Sequence, residues 1–130
     1  MTTNIITVDG TAYNVRVTFD SMERNFEIVE GSNTGQAITK REIRDVIGTA
    51  YAYSMQIEPD PAHQDDYDSF YQKITEPVEY HTVILPYGQT GITFQARIIS
   101  GGDKYKGKIA GKHRWGNMSV EFLPMQPQRT

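Results

Sequence analysis

The chain has 130 residues, 38% hydrophobic and 22% charged, with a formal net charge of −3, which suits one globular domain with a real core and not a disordered chain. With no cysteine, disulfides, thiolate metal centres and a cysteine nucleophile are excluded. No apolar run approaches the roughly 18 residues of a membrane-spanning helix, and the N-terminus lacks a secretory pattern, so the expected address is the cytoplasm of the producing cell.

Residues 5–8 and 13–19 flank Asp9-Gly10, a two-residue hairpin signal because both central positions of such a turn take positive φ. The second arm alternates Tyr13, Val15, Val17 and Phe19 against Asn14, Arg16 and Thr18, so it predicts a half-buried strand with the first set inward. A third short strand is expected over 26–29, followed by a polar loop, EGSNTGQA, over 30–37. Residues 38–47 read either as a short helix or as the start of a long strand, and the strand is favoured. Thr49, Tyr51, Tyr53, Met55 and Ile57 then share one face, and the small residues Ala50, Ala52 and Ser54 with Gln56 share the other.

The one convincing helix is expected over residues 61–75. Asp60 is the expected cap, Pro61 suits the first turn, and Asp65, Asp66 and Asp68 complement the helix dipole. Tyr67, Phe70, Tyr71 and Ile74 recur at i, i+3, i+4 and i+7 as an apolar stripe, and Pro77 stops the helix. Two strands, 78–85 and 92–99, are joined by a longer PYGQTG loop. Residues 100–107 read as a Gly- and Lys-rich loop, 108–114 as polar and extended, and 115–123 as a final strand with Met118, Val120 and Phe122 inward. The resulting expectation is a mainly β (α+β) domain over 1–123, with a C-terminal arm over 124–130. Its architecture is an antiparallel β-sandwich or open barrel of seven to eight strands with the helix packed against it.

Charge is unevenly distributed. Residues 58–79 hold seven acids against Lys73 alone, whereas 104–114 hold five bases and no acid. Solvated patches are the usual meaning of such runs. The sharper reading is an acidic and a basic surface that meet between identical subunits, a heterologous contact that builds rings or filaments.

No catalytic constellation emerges. Residues 102–109 (GDKYKGKI) resemble a phosphate-binding loop, but Ile109 stands where a magnesium-binding hydroxyl is needed and no helix pattern follows. His63, His81 and His113 are far apart and lack metal-ligand spacing. His81 working with acids on the helix is the remaining enzyme reading, and a lone strand histidine is more often structural. The aspartates of the helix lack the Gly-centred loop of a calcium site. No cofactor or metal is expected, and the chain is read as a non-enzyme. The alternative is a small module binding nucleic acid or another polyanion through the basic segment 104–115, with Tyr105 and Trp115 for stacking.

Four stretches together carry a resemblance: ITVDGTAYNV near the start, GTAYAYSMQIE in the long strand, ITEPVEYHTVILP closing the helix, and WGNMSVEFLP at the end. In these the chain resembles small tail proteins encoded in phages and prophages of Gram-positive bacteria, over residues 5–124. The resemblance implies a virion structural protein of the tail tube, distal tail or baseplate, made in the bacterial cytoplasm and carried in the virion tail. It implies homo-oligomeric rings, hexameric in tail-tube folds, with other tail proteins as partners, no membrane and no sequence-specific nucleic-acid contact. The subunit contacts expected on this reading are Asn33, Gln36, Lys40 and Arg41 in the first long loop, Lys104, Tyr105, Lys106 and Lys108 in the second, and Asp65, Asp66 and Asp68 on the helix.

Overall fold

The computed structural model describes residues 6–30, 35–36, 42–43 and 46–130. The chain opens with β1 (Thr7–Val8) and β2 (Thr11–Ala12), then β3 (Val15–Val17) and β4 (Glu23–Glu30). Two short strands, β5 (Gly35–Gln36) and β6 (Glu42–Ile43), pair with each other. The long β7 (Val46–Pro59) leads to α1 (Gln64–Ile74). Four strands close the fold: β8 (His81–Tyr87), β9 (Thr90–Arg97), β10 (Gly101–Ile109) and β11 (Lys112–Pro124).

The first turn forms as its residues dictate. Asp9 and Gly10 have φ of 49° and 85°, and Thr7 pairs with Ala12 across them. Two further tight turns were not evident in the sequence. β8 and β9 are joined by Gly88-Gln89, not by a longer loop, with Gly88 at φ 60°. Ala110 and Gly111, at φ 53° and 80°, close a hairpin between β10 and β11. The segment expected to be a Gly- and Lys-rich loop is therefore a nine-residue strand.

The sheet runs β2-β1-β8-β9-β11-β7-β3, antiparallel at every step, and curls into a half-barrel. β7 is its spine. On one side it pairs with β3 and then β4; on the other it pairs with β11, from Met118 opposite Ile57 to Phe122 opposite Tyr53. β11 then passes to β9 through Leu123 and Pro124, so one strand belongs to both halves of the curl. The outer side of β11 also carries β10.

The inner faces supply the core. Tyr51, Tyr53, Met55 and Ile57 of β7 are buried with Met118, Val120 and Phe122 of β11 and Val83 and Leu85 of β8. Each such side chain contributes about 1.5–3 kcal/mol relative to leaving it in water. Ala50, Ala52, Ser54 and Gln56 face the other way, as their alternation predicts; the first three are half-buried and Gln56 is exposed. Phe19 is the exception in the early alternation. It sits in a turn beyond β3 and is 90% exposed, because strand pairing ends at Val17 and the alternating face ends with it.

The helix starts later than its charges suggest. Pro61 and Ala62 form a turn, and α1 begins at Gln64. Asp60 serves that turn, accepting from the Ala62 amide at 3.1 Å. His63 holds the N-cap position without a side-chain cap. Tyr67, Phe70 and Ile74 are buried as expected, Phe70 edge-on to Tyr13 at 5.4 Å between ring centroids. Tyr71, the fourth residue of the stripe, is instead 37% exposed.

The C-terminal segment is not a free arm. Thr49 and Arg129 exchange two backbone hydrogen bonds, of 2.6 and 3.2 Å. The Gln128 side-chain amide accepts from the Tyr51 N–H at 2.8 Å and donates to the Tyr51 carbonyl at 2.7 Å, like a rung of a strand ladder. The tail thus continues the pairing along β7 beyond the end of β11. Gly48 makes room for it, because a Cβ there would strike the Arg129 carbonyl.

Candidate functional site

The acidic and basic runs come together within one chain. The outward side of α1 carries Asp65 and Asp68, and the β10–β11 ribbon stands opposite it, with Lys112 and Arg114 near its tip. Between helix and ribbon lies a groove, followed section by section along α1. At its C-terminal end Val78, Ile98 and Ile99 line it together with polar groups such as Thr75, Glu76 and Ser100. In the middle Tyr67, Asp68, Tyr71, Gln72, Asp103 and Trp115 surround a space of about 320 Å3. Towards the helix N-terminus Gln64 and Asp65 face Lys112 and Arg114. Acids and bases that are far apart in the sequence thus line one groove within a single chain.

The three helix aspartates have different roles. Asp65 and Asp68 are exposed. Asp66 is half-buried and engaged within the chain: its Oδ2 accepts from the Asn14 backbone N–H at 2.9 Å and from Asn14 Nδ2 at 2.8 Å, strapping the helix to the segment before β3. Among the predicted basic contacts, Lys106 pairs with Glu58 at 3.0 Å, while Lys104, Tyr105 and Lys108 are exposed along β10. Glu58 also accepts from the Asn117 amide, where a positive φ accompanies a shift in the β10–β11 register. Asn33, Lys40 and Arg41 lie outside the described residues, as does most of the ambiguous stretch 38–47; Gln36 is on β5.

Trp115 is neither a core nor a shielded residue. It is 42% exposed, and its cross-strand partner Tyr105 packs beside it with ring centroids 5.0 Å apart and planes at 61°. The Tyr105 hydroxyl and His113 Nδ1 hydrogen-bond at 2.8 Å. Across the groove the Tyr67 hydroxyl donates to Asp103 Oδ2 at 3.0 Å. Burial of the ring and that carboxylate push the Tyr67 pKa far up, so the phenol stays protonated and remains a donor.

His81 occupies a second cluster. It is 2% exposed on β8, and its Nδ1 lies 2.7 Å from Asp9 Oδ2 in the first hairpin turn. Asp9 Oδ1 accepts from the Thr82 N–H at 2.9 Å. The hydrogen bond from His81 leads the effects that hold the Asp9 carboxyl below its usual pKa. Ligand atoms of Asp9, Glu76 and His81 lie within 4.8 Å of one another, so these three could hold a metal ion. The geometry favours a structural clamp. Nδ1 is committed to Asp9, and a metal at that nitrogen would force the proton onto Nε2, which is buried without a partner. Lys73, paired with Glu76 at 3.5 Å, already brings a cation to the cluster. The enzyme reading asked His81 to work with acids on the helix; its partner is Asp9 and the ring is closed to solvent.

The sheet also ends on two long edges. β4 and β10 each pair on one side only among the described residues. β4 (ERNFEIVE) carries three glutamates and one arginine, and β10 (GGDKYKGKI) carries three lysines and one aspartate. At the far end of the β4–β7 ribbon Phe26, Ile28, Val46 and Ile47 are exposed, Phe26 to 72%. Phe26 and Ile28 stand opposite Tyr51 and Thr49 and so share their side of the ribbon.

No protein-family model matches the chain, and no curated protein matches it.

Proposed function

We propose that this chain is a structural subunit of a bacteriophage or prophage tail, in the tube, distal tail or baseplate, and that copies join edge to edge into rings. The observation that carries this reading is the pair of open, oppositely charged edges at β4 and β10. An unpaired edge strand is a template for pairing, and monomeric proteins blunt it with short strands, charges, bulges or cover; β4 and β10 both carry charges and register shifts, so pairing there calls for a partner edge of opposite charge. Here the two edges are eight and nine residues long. Acidic β4 of one copy fits basic β10 of the next, with like edges repelling. That contact is heterologous, and it closes into a ring when the rotation per copy allows. Exposed Phe26 and Ile28 add apolar surface to the same union. The resemblance in the four sequence stretches supplies the tail assignment, with other tail proteins as further partners and the virion tail as destination.

A polyanion-binding role would use the same lysines. It is less well supported, because Trp115, one of its two stacking residues, has Asp68 and Asp103 on one side, which repel phosphates, although Lys112 and Arg114 lie on its other side. Sedimentation velocity over a concentration series tests the proposal. Discrete ring-sized species that weaken as salt rises are expected. A chain that stays monomeric at every concentration, with and without added tail proteins, overturns it.

A further inference from the structure

We propose that the middle of the groove beside α1 is a binding site for an organic cation, an alkylammonium or guanidinium group held between Tyr71 and Trp115 and neutralised by Asp68 and Asp103. Tyr71 and Asp68 come from the helix wall, Trp115 and Asp103 from the ribbon wall. The section between them is lined by three aromatic rings, two carboxylates and one amide, and by no basic residue. Among the described residues no lysine, arginine or histidine lies within ion-pair distance of either carboxylate.

Each ligand class meets this lining differently. An anion would face two carboxylates. A hard metal ion needs several oxygen ligands at short range, and here most of the wall is aromatic. An organic cation satisfies both kinds of wall at once: ring faces attract it through their quadrupole, and the carboxylates supply the opposite charge. At about 320 Å3 the space admits a single such group.

The walls are also prepared for it. Tyr105 packs beside Trp115 across the ribbon, and His113 holds the Tyr105 hydroxyl. The Tyr67 hydroxyl fixes one oxygen of Asp103. Such support lowers the ordering cost of binding. This site is independent of the β4 and β10 edges, and it stands or falls apart from ring assembly.

Trp115 is the chain's single tryptophan, so its fluorescence reports on the site directly. The full chain is titrated with tetramethylammonium chloride, ethylguanidinium chloride and an Ala-Arg-Ala peptide, with potassium chloride at matched ionic strength as control. A saturable change with an organic cation and none with potassium is expected. Asp68→Asn and Tyr71→Ala are each expected to weaken it on the order of tenfold. Both residues are exposed on the helix, and unchanged far-ultraviolet circular dichroism confirms that the variants fold. Tighter binding of the peptide than of ethylguanidinium assigns the site to a partner's side chain; tighter binding of tetramethylammonium assigns it to a free ligand. A response no larger than potassium's, one unchanged by Asp68→Asn, or a saturable response only to neutral sugars overturns the proposal.

Discussion

Asp9 and His81 meet at 2.7 Å although 72 residues separate them in the chain. The contact ties the tip of the first hairpin to the start of β8, and the Asp9 and Thr82 backbones reinforce it through a 2.7 Å hydrogen bond. Asp9 is well suited to the position: it tolerates a φ of 49° and brings a charged acceptor.

The clamp predicts a pH dependence. The folded Asp9 pKa is lowered, so its contribution is fully present above the ordinary value of 3.8 and is lost as pH falls through the folded value. Asp9→Asn keeps the backbone preference and removes the charge. It is expected to cost about 1.5 kcal/mol at neutral pH, the lower end for a hydrogen bond to a charged group because Asp9 is partly exposed. Urea unfolding of both proteins from pH 7 to 2 checks this: the gap between them should narrow below about pH 4.

The charge complementarity of the edges predicts a rescue. Glu27→Lys and Lys104→Glu should each weaken assembly alone. Mixed, they should restore it, since one interface regains the natural pair and the other carries the reversed pair. Sedimentation of the single variants and of the mixture reads this out. Failure of the mixture to recover would show that β4 and β10 do not meet.

Phe26→Ser separates folding from association. The side chain is mostly in solvent, so urea stability should shift by less than about 0.5 kcal/mol. Ring-sized species should nevertheless fall, because the substitution removes apolar area from the proposed contact. Phe122→Ala is the contrasting control, at 0% exposure, and should cost about 3–5 kcal/mol in the same measurement.

Gly48→Val tests the tail. The added Cβ meets the Arg129 carbonyl, so Thr49 and Arg129 should lose their mutual hydrogen bonds. Hydrogen exchange at the Thr49 and Tyr51 amides should rise, while exchange at Met55 and Ile57, paired with β11, should stay slow. Equal acceleration throughout β7 would mean that the tail supports the whole strand and not its end alone.

Much of the fold was legible because period-two alternation and a single helical stripe are local signals. Tyr51, Tyr53, Met55 and Ile57 could be assigned to the core from β7 alone. The Asp9-Gly10 turn was legible because both residues favour positive φ. Ala110-Gly111 was not, since alanine rarely takes that conformation. The lysines and glycines of β10 have low strand propensity, and the strand exists because β11 pairs with it. The groove was invisible for a different reason. Asp68, Asp103 and Trp115 come from three elements, and only tertiary packing brings them together. The Gln128 rung also had no signature, because a side-chain amide standing in for backbone follows no period.

β7 has a consequence for how the chain is made. One of its sides is completed by β3 and β4, which precede it, and the other by β11 and the segment after it, which follow it. The β4–β7 hairpin can zip as soon as both strands leave the ribosome. The second side must wait until β11 has been made, leaving one side of the central strand unpaired while residues 60–111 are synthesised. Non-local closure of this kind is slow, so premature termination within β11 is expected to yield a chain that sticks to its neighbours and not a shortened but folded subunit.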